Sequence, residues 1–235
     1  RRVVETAKRH NIHRSAPHKI YTVVDNTFAT PFCQRPLEMG VDFVVESLTK
    51  GLCGFGTDMG GVVVGPSWSY DQLLLYRKDF GGVLGSKSAW PILVYGLPSL
   101  AVRMRQQMQT AQAVSEFLQN DKRIGAVLYP GLDSFPQRSL ARSQMRTYDG
   151  SFAPGPLIYF TMGGRSVIDR KRKADKLVNY IAKRSYTITL AVSLGNIRTL
   201  IEHPASMTHS SIAPDEQLKR GIDPGGIRLS VGLEK

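Results

Sequence analysis

Short apolar runs bounded by glycine and polar residues dominate the first hundred positions of this chain. Residues 20–25, 43–46 and 61–65 each read as a short strand in which apolar positions follow one another instead of alternating. With a Gly-rich connection between the second and third, such runs predict an α/β sheet buried on both faces. Ahead of them, Val3, Val4 and Ala7 suggest the end of a helix, followed by a polar loop over residues 11–19. Residues 99–120 place Leu100, Met104, Met108, Ala111 and Val114 on one side of a long helix. That helix is expected to join two domains, residues 1–98 and 99–235. Beyond it, strand-like runs at 124–129, 157–161, 187–190 and 227–231 are interleaved with a helical pattern over 165–184, which is an α+β arrangement. There is no internal repeat and no low-complexity segment.

Composition narrows the class. The chain has 235 residues, 42% of them apolar, enough for a sizeable core in one or two domains. No apolar run reaches the roughly 18 residues of a membrane span, and no signal peptide is recognisable, so a soluble cytoplasmic protein is expected. Cys33 and Cys53 stand in no metal-ligand spacing and suggest a reducing compartment. The formal net charge is +12. Residues 1–98 hold 11 Lys/Arg against 8 Asp/Glu, leaving 20 against 11 in residues 99–235, with the densest cluster at Asp169-Arg170-Lys171-Arg172-Lys173. Helical spacing of Ile168, Ala174, Leu177, Val178 and Ile181 around that cluster makes it a solvated helix face. Basic residues interleaved with exposed aromatics, which a nucleic-acid surface needs, are not found there. His10, His13 and His18 have irregular spacing and no acidic or cysteine partner, a poor zinc site.

The chemistry concentrates where two of the strands end. Val23-Val24 runs into Asp25, and Phe43-Val44-Val45 into Ser47-Leu48-Thr49-Lys50-Gly51. A lysine between two hydroxyl residues and a glycine at one strand end, with a carboxylate at another, is the donor set of a pyridoxal phosphate (PLP) site. The lysine forms a Schiff base with the cofactor aldehyde, the carboxylate keeps the pyridine nitrogen protonated, and hydroxyls bind the phosphate. Lys50, Asp25, and Ser47 with Thr49 are the candidates for those roles. Continued strand alternation would put the two hydroxyls on one side.

Three strings carry a wider resemblance: VDNTFATPFCQRPLEMGVDFVVESLTK from Val24, AVSLGNIRTLIEHPASMTHS from Ala191 and GIRLSVGLE from Gly226. In order along nearly the whole chain, they resemble the Cys/Met-metabolism, or trans-sulfuration, family of PLP enzymes. The resemblance implies part of a fold-type I, PLP-dependent transferase-like large domain with a mainly parallel sheet, followed by a smaller α+β domain. It implies Arg228 as the residue that holds a substrate α-carboxylate, with Ser193 beside it. His203 and His209 fall near the same region, where a structural role is at least as reasonable, and Cys53 reads as a small packed residue.

For activity, the resemblance implies elimination at Cγ of sulfur amino acids, a C–S lyase reaction giving 2-oxobutanoate, ammonia and a thiol. The AVSLG and IEHPASMTHS strings are more similar to methionine γ-lyase than to the sulfhydrylases. Cystathionine-specific members tend to carry an acidic residue where Val192 stands. Replacement at Cγ, as in cystathionine γ-synthase or O-acylhomoserine sulfhydrylase, and cystathionine lysis use the same residues and stay open. So do an inactive truncated chain and a basic binding module. Family members are homo-oligomers, typically tetramers built as a dimer of dimers, with small amino-acid substrates and no nucleic-acid or membrane partner. They also carry a long part ahead of this sequence and a short helical tail after it, so both ends are expected to be cut. Two departures stand out: the family's Arg-Gly-Leu-Lys segment reads Tyr95-Gly96-Leu97-Pro98, and the loop over residues 11–19 is long.

Overall fold

The computed structural model describes residues 2–15 and 18–234. Ala16 and Pro17 of the polar loop, and Lys235 after the last strand, lie outside the described residues. Helix α1 (Arg2–Asn11) buries Val4 and Ala7, and leads through the loop to strand β1 (Val23–Asp25). A short helix α2 (Thr30–Cys33), strand β2 (Phe43–Ser47) and strand β3 (Gly61–Val64) follow. These strands form a three-stranded sheet in the order β1-β2-β3. β1 and β2 are parallel, with Asp25 opposite Val45, whereas β3 runs antiparallel to β2.

Burial in this sheet is less complete than the apolar runs suggest. β2 alternates half-buried and buried positions, but Val23 of β1 is 60% exposed and β3 is exposed at three of its four positions. Three strands leave two edges, and among the described residues no further strand pairs with β1 or β3. Helices α3 (Tyr70–Asp79) and α4 (Ser86–Pro91) follow β3 and bury none of their side chains.

Helix α5 (Leu97–Asn120) then runs beneath both halves, burying Arg103, Met104, Gln107, Ala111 and Ser115. After it come β4 (Ile124–Leu128), α6 (Arg138–Gln144), β5 (Leu157–Met162), α7 (Val167–Arg184), β6 (Ile188–Leu190), β7 (Thr199–Glu202), α8 (Pro214–Lys219) and β8 (Gly226–Ser230). The strands make a five-stranded sheet ordered β4-β5-β8-β7-β6, antiparallel except for the β6–β7 pair. The main core lies here. Ile158, Phe160, Ile227 and Leu229 of the central strands pack against Ala111 of α5 and against Ala174 and Val178 of α7.

Helix α7 begins on Ser166, whose hydroxyl accepts from the Asp169 N–H at 3.1 Å, an N-cap of the ordinary kind. Its basic cluster is largely paired: Arg172 and Lys173 with Asp169, Lys171 with Asp175, and Arg170 with Asp223. The pairing supports a solvated helix face at this cluster. No described helix is long and apolar enough to cross a membrane.

Candidate active site

Because β1 and β2 are parallel, their C-terminal ends reach the same edge of the sheet, the edge where open α/β sheets place their ligands. Asp25 ends β1 in an exposed position. One carboxylate oxygen accepts from the Thr27 N–H at 3.0 Å, an Asx turn, and the other has no hydrogen bond among the described residues. Thr27 also accepts from the Ser47 N–H at 2.9 Å, so the two strand ends are tied to each other. One layer deeper, the Asn26 N–H donates to Val45 O at 2.9 Å, and its side-chain amide donates to the buried Glu46 carboxyl at 2.8 Å.

Strand geometry stops at Ser47. An irregular turn over Leu48–Leu52 follows, in which Lys50 has φ −92° and ψ −131°. The expected alternation of Ser47 and Thr49 therefore does not hold, because the chain turns before a second strand step is made. The Thr49 hydroxyl accepts from the Gly60 N–H at 3.0 Å and lies 3.4 Å from Gly60 O. It retains a proton that only the longer contact engages.

The Lys50 amine leaves this turn and donates to Ser193 Oγ at 2.8 Å. Ser193 belongs to the connection between β6 and β7, which is docked on the Lys50 turn through an Ile197 N–H bond to Gly54 O at 2.7 Å. Gly195, at φ +74°, makes the approach possible: a Cβ there would overlap the Gly51 nitrogen. From the other side, Arg228 Nη2 donates to Ser193 O at 2.8 Å and to a Glu202 carboxylate oxygen at 2.9 Å. Ser193 thus sits between the amine and the guanidinium.

Arg228 and Glu202 are register partners on β8 and β7, and Glu202 is 1% exposed. An ion pair, the plain structural reading of Arg228, is therefore present. It engages one nitrogen only, and Nε and Nη1 have no partner among the described residues. Burial lowers the Arg228 pKa and raises that of Glu202, while the attraction between the two opposes both shifts. The expected residues are in this way drawn into two groups, Asp25, Ser47 and Thr49 at the strand ends and Ser193 with Arg228 across from them, with Lys50 reaching from the first to the second.

Several residues that hold this arrangement were not legible as such. Glu202, Glu46 and Asn26 look like ordinary polar strand residues, and Arg103 like one more cation on a long helix. Its spacing of three from Leu100 and four from Gln107 was the available signal. His203 is a cross-link, with Nδ1 2.7 Å from Ser206 Oγ and Nε2 2.7 Å from Pro224 O. Cys53 is fully buried, in keeping with a packing role.

A family model described as "Cys/Met metabolism PLP-dependent enzyme" matches residues 2–235. The chain belongs to this family. It is 41% identical over 218 residues to an L-methionine gamma-lyase of Pseudomonas putida, which covers 92% of this chain and 51% of that protein. It is 39% identical over 234 residues to a cystathionine beta-lyase of Coxiella burnetii, covering 99% of this chain and 54% of that one. The crystal structure of the cystathione gamma lyase CalE6 from Micromonospora echinospora superposes with a TM-score of 0.84 at 34% identity, over 99% of this chain and 56% of that one. The chain thus spans about half the length of the relatives it matches. The family is one of PLP-dependent trans-sulfuration enzymes, and the cofactor is PLP.

The residues present fit that cofactor by their chemistry. Among the described residues, an amine whose only hydrogen bond is to a hydroxyl, a carboxylate with one oxygen unengaged, and two hydroxyls at and just after the end of β2 are the groups a phosphorylated pyridine aldehyde requires.

Proposed function

We propose that this chain carries the cofactor lysine and the substrate-carboxylate site of a PLP-dependent C–S lyase that eliminates at Cγ of a methionine-like amino acid. The observation that carries the reading is the double engagement of Ser193, by the Lys50 amine on Oγ and by Arg228 on the carbonyl. A single residue separates the base from the carboxylate binder, and an amino acid has its acidic Cα–H next to its carboxylate. When bound, the cofactor supplies an electron sink for the pair left at Cα. Asp25 would hold the protonated pyridine nitrogen through its unengaged oxygen. Ser47 and Thr49 would hold the phosphate, Thr49 by giving up its long contact to Gly60 O. Arg228 would bind the substrate carboxylate and so fix Cα–H toward Lys50, whose free amine takes the proton. Ser193 would orient that amine.

Substrate choice rests on Val192, which is 54% exposed directly before Ser193 and offers no carboxylate to a distal ammonium. Desolvating that ammonium against an apolar side chain is costly, which favours methionine or homocysteine over cystathionine. The 39% identity to a cystathionine beta-lyase supports cystathionine lysis as a second reading.

Two measurements on the full-length parent test the proposal. Borohydride reduction followed by peptide mapping is expected to leave a pyridoxyl group on Lys50; a label on another lysine, or none, overturns the cofactor assignment. Release of 2-oxo acid is expected to be faster from methionine than from cystathionine. Faster cystathionine cleavage, or net thioether formation from O-acylhomoserine and a thiol, would overturn the substrate assignment.

A further inference from the structure

Arg103 is 3% exposed on the inner side of α5, and among the described residues no carboxylate lies within ion-pair distance of it. Its N–H groups go to neutral acceptors instead. Nε donates to Ser99 Oγ at 2.9 Å, Nη1 to Gly51 O at 2.9 Å, and Nη2 to Gly96 O at 2.8 Å and Leu52 O at 3.2 Å. Burying a guanidinium without a carboxylate is costly, and the desolvation lowers its pKa. Two of the carbonyls it holds belong to the residues directly after Lys50, in a turn whose own backbone bonds run from Cys53 N–H to Leu48 O at 3.0 Å and from Gly54 N–H to Lys50 O at 2.8 Å and leave the Gly51 and Leu52 carbonyls to Arg103. The surroundings are shaped for this contact. Gly54 has φ +78°, and a side chain there would overlap the guanidinium. A Cβ on Gly96 would come within 2.6 Å of Leu52 O.

We propose that Arg103 is a positioning residue for Lys50: by holding the Gly51 and Leu52 carbonyls it fixes the turn that carries the amine, and so the direction from which the amine meets Ser193 and the cofactor. The inference rests on the reading of Lys50 as the cofactor lysine. Arg103 touches neither substrate nor cofactor in this scheme. A lysine in its place keeps a charge and most of the stem, yet its single nitrogen cannot reach four acceptors spread over the helix start and the turn.

The test uses the full-length holoenzyme with Arg103→Lys, Arg103→Met and, as control, Ser99→Ala, which removes the Nε bond and leaves the carbonyl bonds. Amide hydrogen exchange in peptides spanning residues 51–54 is expected to quicken about tenfold in both Arg103 variants, with β5 peptides within about twofold of wild type. Release of PLP should quicken about tenfold, and the pH midpoint of the bound cofactor's absorption should move, because the amine is no longer held in one direction. Ser99→Ala should stay within about threefold on each measure.

Exchange that quickens equally in the turn and in β5 would make Arg103 a general stability residue and overturn the proposal. An unmoved absorption midpoint with unchanged PLP release would do the same. If Arg103→Met does not fold, Arg103→Lys decides; failure of both to fold also overturns it. Borohydride mapping of the wild type separates the two claims. A label away from Lys50 sinks the cofactor assignment, whereas a label on Lys50 with wild-type behaviour in the variants sinks only the role of Arg103.

Discussion

Arg228 divides its hydrogen-bonding capacity between being held and holding. Nη2 is occupied by Ser193 O, Glu202 and, at 3.4 Å, Val192 O, while among the described residues Nε and Nη1 have no partner. Because an ammonium offers one point of charge where the guanidinium offers a fork, Arg228→Lys should raise KM for amino-acid substrates about a hundredfold and change PLP affinity less than about threefold. Steady-state kinetics and a cofactor titration check this; equal losses in both would mean that Arg228 only braces the sheet. Glu46 offers a pH-dependent counterpart. Burial raises its pKa, the bond from Asn26 opposes the shift, and the nearby Asp25 charge adds to it. With the folded value above the unfolded one, the stabilising contribution is fully present below the ordinary carboxylate pKa and is lost as pH rises through the folded value. Glu46→Gln cannot ionise and keeps an acceptor for Asn26. Its melting temperature should therefore match wild type near about pH 4 and exceed it increasingly toward about pH 8, whereas a gap independent of pH would refute the assignment. Thr30 is harder to account for in sequence terms: it is 2% exposed at φ 60°, an outlier for a β-branched residue, and its methyl lies where a Gly51 side chain would go.

At the scale of elements, the chemistry depends on a loop laid against a turn. The 191–198 connection reaches the Lys50 turn only because Gly195 lacks a side chain and tolerates a positive φ. Gly195→Ala adds both strain and overlap, and is expected to cost about 1–3 kcal/mol of stability together with most PLP binding. Chemical denaturation and cofactor titration read the two effects, and a variant as stable as wild type would show that the loop is free to move away. Most elements were legible from the sequence. Helix α5 and helix α7 came through by their long periodic patterns, the β2 and β5 runs by consecutive apolar residues, and β8 by the alternation of Ile227, Leu229 and Val231 with polar residues. β7 did not. Thr199–Glu202 is buried at every position, including its two polar ends, so neither alternation nor an unbroken apolar run marks it. Helix α3 was missed for the opposite reason: Leu73, Leu74, Leu75 and Tyr76 are consecutive and all exposed, and no stripe faces a core.

For the molecule as a whole, the cores are unequal and the site lies between them. The five-stranded sheet owns the large apolar cluster, whereas the smaller one gathers Phe32, Cys33, Met104 and Ala153 under the Lys50 half. The halves of the site were legible to different degrees. Asp25, Ser47 and Lys50 lie within one stretch, where strand ends and residue types point to a cofactor without further help. Ser193 and Arg228 were visible only through the resemblance, since nothing local distinguishes a loop serine or a strand arginine. Glu202, the partner of Arg228, gave no signal, because a buried charge announces itself only through what surrounds it, and Arg103 gave only its helical spacing from Leu100 and Gln107. The bond from Lys50 to Ser193 closes a gap of 143 residues. Contacts so remote in sequence carry a large loop-closure penalty and form after the local ones. In refolding from denaturant, far-UV ellipticity should therefore recover before PLP is captured, with a lag that added cofactor does not shorten. Simultaneous recovery, monitored by stopped-flow, would mean that the Lys50 turn is competent before the second sheet arrives. If the lag is seen, capture of the cofactor is a timer for the end of folding, and a chain that has not brought its two ends together cannot be mistaken for a finished one.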